Sequence, residues 1–353
     1  MKQRMLALLG AVAVAGSMAA TAAFAQNLPK TNVNVIGNIS ITTQFKQIEK
    51  PYWTELLNKS SNGAIVANFK GWDEMSLKGP EVFRLVQRGV AQFGTGQLGH
   101  VSGDAPINDA TDLSGLSPTL DDFWKVTMAF RPVIEEFYAK EYGLKVLTMQ
   151  SYQEQIFYCR KEVKSLADFK GLKMRSSGVS QADFLSALGA TGVPLSFTEV
   201  QQALQTGVID CAITGTLGGY SAKWYESAKH LYTLPVNFAA GMTVVNIAEW
   251  NKMDPGIRKL IEDTMKVREK EMFELNKKEG ELGINCNTSG PCSEGPNGGM
   301  ARHNATAADI ALLKKVMLET VIPRWAERCG ADCAKKFNDT IGKTTGLTAP
   351  VKS

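Results

Sequence analysis

Histidine is scarce in this chain, with three residues in 353. That leaves little material for an imidazole-based metal centre or a histidine-activated nucleophile. No H-E-x-x-H is present, and Gly178-Val-Ser-Gln-Ala182 misses the G-x-S-x-G elbow at its last position. Charge of either sign is not in excess: 39 basic residues face 35 acidic ones, with no basic stripe. A nucleic-acid partner is therefore not expected. Six cysteines are too few to build a disulfide miniprotein. The fold must rest on a hydrophobic core, and the length suits two domains. Beyond the N-terminus no run reaches the roughly 18 apolar residues of a membrane span.

What is present begins with an export signal. Lys2 and Arg4 precede an apolar, small-residue stretch from Met5 to Ala20, and Ala23-Phe-Ala25 has the A-x-A form of a cleavage site. The pattern predicts a secretory signal over residues 1–25, cut after Ala25, and an exported protein. Its removal would leave 37 basic against 35 acidic residues. In an exporting compartment disulfides persist. The spacings predict local bridges Cys286–Cys292 and Cys329–Cys333, leaving Cys159 with Cys211. Zinc would need C-x2-C pairs or histidine partners, which are lacking.

Strand and helix patterns alternate. Val33–Ile36 reads as a strand, 45–57 as a helix, and Ala64–Phe69 as a second strand. Pro80 opens a helix that stops at Gly89, and Val90–Phe93 is read as a strand. The clearest run is 155–214. Strands are read at Gln155–Cys159, Leu172–Arg175, Val193–Phe197 and Val208–Ile213. Between them lie helices opened by a Ser165/Asp168 box, by Ser180 and by a Thr198/Gln201 box. Such alternation predicts an α/β fold with a mainly parallel sheet. Later, Asp254-Pro255 and Thr306/Asp309 open two long helical patterns, the second with Ile310, Leu313, Met317 and Val321 on one face. Residues 283–303, rich in Gly, Pro, Asn and Ser, read as an exposed loop.

Three candidate chemistries follow. Gly94-x-Gly96-x-x-Gly99 matches the dinucleotide fingerprint, but no helix pattern follows it, so a ligand-side loop is expected instead. No cofactor is called for. His100, His230 and His303 are read as surface or loop residues, and no enzyme is expected. Arg175 ends a strand just before a helix start, where the crevice of an open α/β sheet lies. Helix N-termini favour anions there, and a guanidinium can grip a carboxylate through two parallel bonds.

The block Asp168-Phe-Lys-Gly-Leu-Lys-Met-Arg175, then Leu188-Gly-Ala-Thr191, Val193-Pro-Leu-Ser-Phe197, Glu199-Val and Ala203-Leu-Gln-Thr-Gly-Val-Ile-Asp210, resembles the solute-binding proteins of TRAP transporters, the DctP-like family. Weaker similarity, including Gly89-Val-Ala-Gln92 and Trp224-Tyr-Glu, runs over nearly the whole chain. The resemblance implies a two-lobed periplasmic protein, each lobe a mainly parallel sheet flanked by helices, with a ligand cleft between them. Lobe I would take residues 26–150 and about 240–280. Lobe II would take 151–239 and about 281–353 with the C-terminal helices. The partners implied are a small organic anion and the TRAP membrane permease. The family's carboxylate-binding arginine falls on Arg175, its ring position on Phe197 and a pocket asparagine on Asn38. Departures are Thr214 for an asparagine, Gln155 for a second arginine and Gln97 for an acid. Losing one cation and one anion favours a smaller monocarboxylate over multiply charged ligands. A secreted enzyme acting on a small acid, or a periplasmic sensor of the same fold, are the alternatives.

Overall fold

The computed structural model describes residues 28–351. The signal and cleavage site expected over residues 1–25 lie outside them. Nine strands form one mixed sheet: β1 Thr31–Gly37, β2 Ile65–Gly71, β3 Phe93–Gln97, β4 Leu144–Cys159, β5 Lys173–Ser176, β6 Thr191–Pro194, β7 Cys211–Gly215, β8 His230–Asn246 and β9 Ala301–His303. Their order is β2-β1-β3-β8-β4-β7-β5-β6, with β9 beside β8.

Two parallel wings, β2-β1-β3 and β7-β5-β6, flank the long central strands β4 and β8, which run antiparallel to each other. β8 joins the first wing through β3 over Gly241–Val245, and β4 joins the second through β7 over Gln155–Cys159. The two long strands thus cross from one lobe to the other. Their pairing slips between Ser151 and Glu154, and again between Gln155 and Phe157. A slipped register bends and twists a ladder and re-aims its side chains. The α/β two-lobed fold expected above is the one found, with antiparallel strands added at its centre.

Local chemistry explains many of the boundaries. Asp168 accepts from the backbone N–H of Lys164 and Ser165, both at 2.9 Å, and so starts a short turn of helix. Asp254 accepts from Gly256 N at 2.7 Å, with Pro255 at the first helical position. The helix that follows, Pro255–Asn287, is 33 residues long. Ile257, Ile261 and Met265 pack it on Trp53, Val245 and Trp250. Farther along, Glu269 accepts from Met149 N at 2.8 Å and Asn276 donates to Ser151 O at 2.5 Å. Near its end Asn287 donates to Thr216 O at 2.8 Å. One helix therefore braces both lobes across the crossover.

Several boundaries differ from the sequence reading. The strand expected at 90–93 lies at Phe93–Gln97, so Gly94 and Gly96 belong to β3 itself. A Cβ on Gly94 would sit 2.6 Å from Val86, and one on Gly96 2.9 Å from Phe83, so these glycines let the helix Glu81–Gln87 lie against the strand. Ser180 is inside its helix, whose N-cap is Gly178; its N–H donates to Asp109. The capping box after β6 is Ser196/Glu199, two residues earlier than Thr198/Gln201. The Gly-rich loop begins at 288, because helix continues to Asn287. Ile310 is 57% exposed and stands off the buried Leu313, Met317 and Val321.

All six cysteines are bonded: Cys159–Cys211, Cys286–Cys292 and Cys329–Cys333. Cys159 and Cys211 are direct partners across β4 and β7, 4.1 Å apart at Cα. Closing a loop 52 residues long stabilises by about 4 kcal/mol in the chain-entropy description. The double variant Cys159→Ala/Cys211→Ala should lose up to that amount in denaturant unfolding while keeping its secondary structure. An unchanged unfolding midpoint would refute this role.

Candidate functional site

The crossover and the C-terminal ends of β3, β5 and β7 surround one polar cleft holding about 570 Å³ of empty space, its mouth included. Of this, about 40 Å³ is open to a water-sized sphere, well below the roughly 300–1,000 Å³ of an open small-ligand site. Asn38, Gln97, Gln155, Arg175, Phe197 and Thr214, the six residues expected from sequence, all line it. β5 ends at Ser176, so its twist and the following turn deliver Arg175 to the cleft floor, as the strand-end argument requires.

Arg175 is 2% exposed. Its Nη1 donates to Ile213 O at 2.6 Å and its Nε to Leu195 O at 3.3 Å, and its guanidinium lies 5.9 Å from the Trp224 ring centre. These acceptors are neutral. Burial pulls the guanidinium down to about 10, so it stays charged at neutral pH. A buried cation held only by carbonyls and an aromatic face is costly unless an anion joins it.

The rest of the wall is uncharged, with polar side chains set among the apolar Ile39, Trp72 and Phe197. Asn38 donates from Nδ2 to the Tyr152 hydroxyl at 2.7 Å, and Tyr152 also meets Gln97. Gln155 donates to Gln153 O at 2.9 Å. Gln153 in turn bonds Glu279 of the long helix. Ser177 N donates to Gln181, whose amide reaches Asn237 on β8 at 3.0 Å, and Asn237 donates to Asp112 at 2.8 Å. The rim of the cleft is thus wired to the central strands. Phe197 bridges the lobes: it packs with Trp224, ring centres 5.1 Å apart, and also against Ile39 and Trp72. At the cleft mouth Lys78 and Glu199 pair at 3.1 Å.

Sequence reasoning missed Tyr152, Gln153 and His100, which also line the cleft. His100, read as a surface or loop residue, sits in the turn after β3, part-buried and with its Nδ1 enclosed. The available signal was its place just past the C-terminal end of the strand Phe93–Gln97, where ligands sit in open α/β sheets. His230 and His303 face each other at 3.1 Å on β8 and β9. Among the described residues no cluster of three or more His, Cys, Asp and Glu could hold a metal, and no helix is long and apolar enough to cross a membrane.

A cleft of this kind, closed between two α/β lobes joined by crossing strands, defines a solute receptor. Residues 38–290 match the family model of DctP, the bacterial extracellular solute-binding proteins of family 7. The chain belongs to this family, whose members serve TRAP transporters. It is similar to the C4-dicarboxylate-binding periplasmic protein DctP of Rhodobacter capsulatus, 27% identical over 79% of this chain and 81% of that one. Among solved structures it resembles a marine metagenome TRAP solute-binding protein specific for pyroglutamate, with TM-score 0.79 and 22% identity over 89% of this chain and 99% of the other. A Desulfovibrio salexigens TRAP protein with bound orotic acid is alike at TM-score 0.79, with 18% identity over 89% and 100%.

Three buried acids near this framework share one pH signature. Burial lifts Glu49, which accepts from Asn38 N at 2.8 Å, to about 7. Burial likewise lifts Asp109 and Glu279 to about 7. Each binds its proton more tightly folded than unfolded. Their contribution is therefore complete below about pH 4 and is lost as pH rises through 7. Denaturant unfolding should show stability falling from pH 5 to pH 7.5. Glu49→Gln should reduce that fall by up to about 3 kcal/mol, at 1.36 kcal/mol per pH unit. Identical pH dependence in the variant would contradict the assignment.

Proposed function

We propose that this protein is a periplasmic receptor that captures a small organic acid, most simply a monocarboxylate, through the carboxylate, and delivers it to a TRAP membrane permease. The observation that carries the reading is the buried Arg175 guanidinium, paired only with carbonyls inside a polar cleft. A carboxylate can meet it with two parallel charge-assisted bonds. Asn38, Gln97, Gln155, Phe197 and Thr214 would complete the ligand's surroundings.

The charge count supports one ionised group on the ligand. Arg175 is the single permanently charged residue among the described residues that line the cleft. Pyroglutamate and orotate, the acids held by the two structural relatives, each carry one carboxylate. The Rhodobacter relative binds C4-dicarboxylates, and Gln155 stands here where the family resemblance places a second arginine. Closure would bring lobe I, residues 26–150 and about 240–280, against lobe II on the slipped ladders of β4 and β8. Export would follow cleavage after Ala25. No chemistry on the ligand is required by this reading.

The test is titration of the purified protein with pyroglutamate and other small monocarboxylates. A bound acid at 100 times its Kd should add roughly 2.7 kcal/mol of stability and be recovered unchanged. Arg175→Ala should weaken binding by about 30- to several-thousand-fold, from a cost of about 2–5 kcal/mol. Arg175→Lys should restore only part of it. Without ligand, Arg175→Ala should cost no more than about 1 kcal/mol, the worth of its carbonyl hydrogen bonds. Intact affinity combined with a large loss of stability would overturn the reading, as would conversion of the bound acid to a product.

A further inference from the structure

We propose that His100 is a specificity-determining residue of the cleft. As a neutral imidazole it donates its Nε2–H to an uncharged oxygen of the ligand. The site thereby takes monocarboxylates that carry a carbonyl or hydroxyl near the ionised group and discriminates against dicarboxylates. This rests on the carboxylate-receptor reading above.

The geometry starts from the short turn Gly99–Val101 that follows β3. Its His100 ring lines the main cleft with Arg175, and it also lines the adjoining chamber bounded by Pro80, Gly178 and Leu195. The imidazole is thus a wall between two compartments, open to ligand from within. Its Nδ1 is enclosed and has no hydrogen-bond partner. The Gly79 backbone is pressed against that side of the ring, where an added Cβ would overlap Nδ1. A buried N–H without an acceptor costs the full desolvation of a donor, and such orphans are rare. The proton therefore belongs on Nε2, the ring nitrogen that the protein does not enclose.

The charges around the ring keep it neutral. Burial holds His100 down to about 3, and the Arg175 charge at the end of β5 adds to this by opposing a second positive charge. Lys78 and Glu199, from the segment after β2 and the capping box after β6, face the same chamber but neutralise each other at 3.1 Å. Tyr152, across the cleft on β4, is held protonated by burial. A dicarboxylate would have to bury its second charge against glutamines, a neutral imidazole and hydroxyls, which is unfavourable without a cation. A carbonyl or hydroxyl oxygen meets no such cost and gains the Nε2–H.

Two measurements test this. First, long-range nitrogen–proton NMR on the ligand-free wild-type protein should show His100 as the neutral Nε2–H tautomer from pH 8 down to pH 5; an imidazolium at pH 6 would overturn the proposal. Second, calorimetric titrations with pyroglutamate and succinate should compare wild type, His100→Ala and His100→Gln. Wild type should prefer pyroglutamate. His100→Ala should weaken pyroglutamate binding roughly 3- to 10-fold, the equivalent of one hydrogen bond, and leave succinate unweakened. His100→Gln, which keeps an N–H at similar reach, should recover most of the loss. Equal losses for both acids, or pyroglutamate bound normally by His100→Ala, would overturn the role of His100 and leave the receptor reading standing. Wild-type protein that bound neither acid and no other monocarboxylate would overturn the receptor reading itself, and this inference with it.

Discussion

A guanidinium out of water with no carboxylate beside it is the constraint around which this molecule is arranged. Arg175 is buried to 2% exposure, and its hydrogen bonds go to the carbonyls of Leu195 and Ile213. Those bonds orient the fork without neutralising it. Trp224 lies near it, where a ring face can soften the charge. Desolvation strengthens every electrostatic interaction that a ligand then makes in the site. On the proposed reading, an anion of the right shape would offset the cost of that desolvated charge.

The fold makes that arrangement possible by separating support from recognition. β4 and β8 cross between the lobes and lose register at Ser151/Glu154 and Gln155/Phe157. The irregular stretch is where Tyr152, Gln153 and Gln155 meet the cleft. The long helix Pro255–Asn287 holds the same stretch from behind through Asn276 and Glu279. Its earlier residues pack with one lobe and its last turn with the other. Glu49 and Glu279, buried acids that burial raises to about 7, bond Asn38 and Gln153 of the cleft wall.

Much of this is legible in the residues because it is local. The caps at Asp168, Asp254 and Thr306 lie within a few residues of the N–H groups they satisfy, so spacing alone locates them. Arg175 is legible because strand ends face the crevice in any open α/β sheet. The three disulfides follow short spacings and one remainder. What escaped depends on distant partners. β3 was placed too early because Gly94 and Gly96 carry no strand preference; the helix that needs their small size makes them strand. Tyr152 becomes a cleft residue through Asn38, 114 positions away, and His100 through Gly79 and Arg175. Ser180 looked like a cap, but it lies within the helix's first turn and its own N–H donates to Asp109 of another segment.

The central claim is that one carboxylate completes the charge of Arg175. A crystal structure of the protein with its co-purified or added acid tests this most directly. The account predicts a ligand carboxylate with both oxygens facing the guanidinium, at about 2.7–2.9 Å, and the remainder of the ligand against the uncharged wall. A ligand bound with its carboxylate turned away from Arg175, or an uncharged ligand leaving the guanidinium on its two carbonyls, would contradict it.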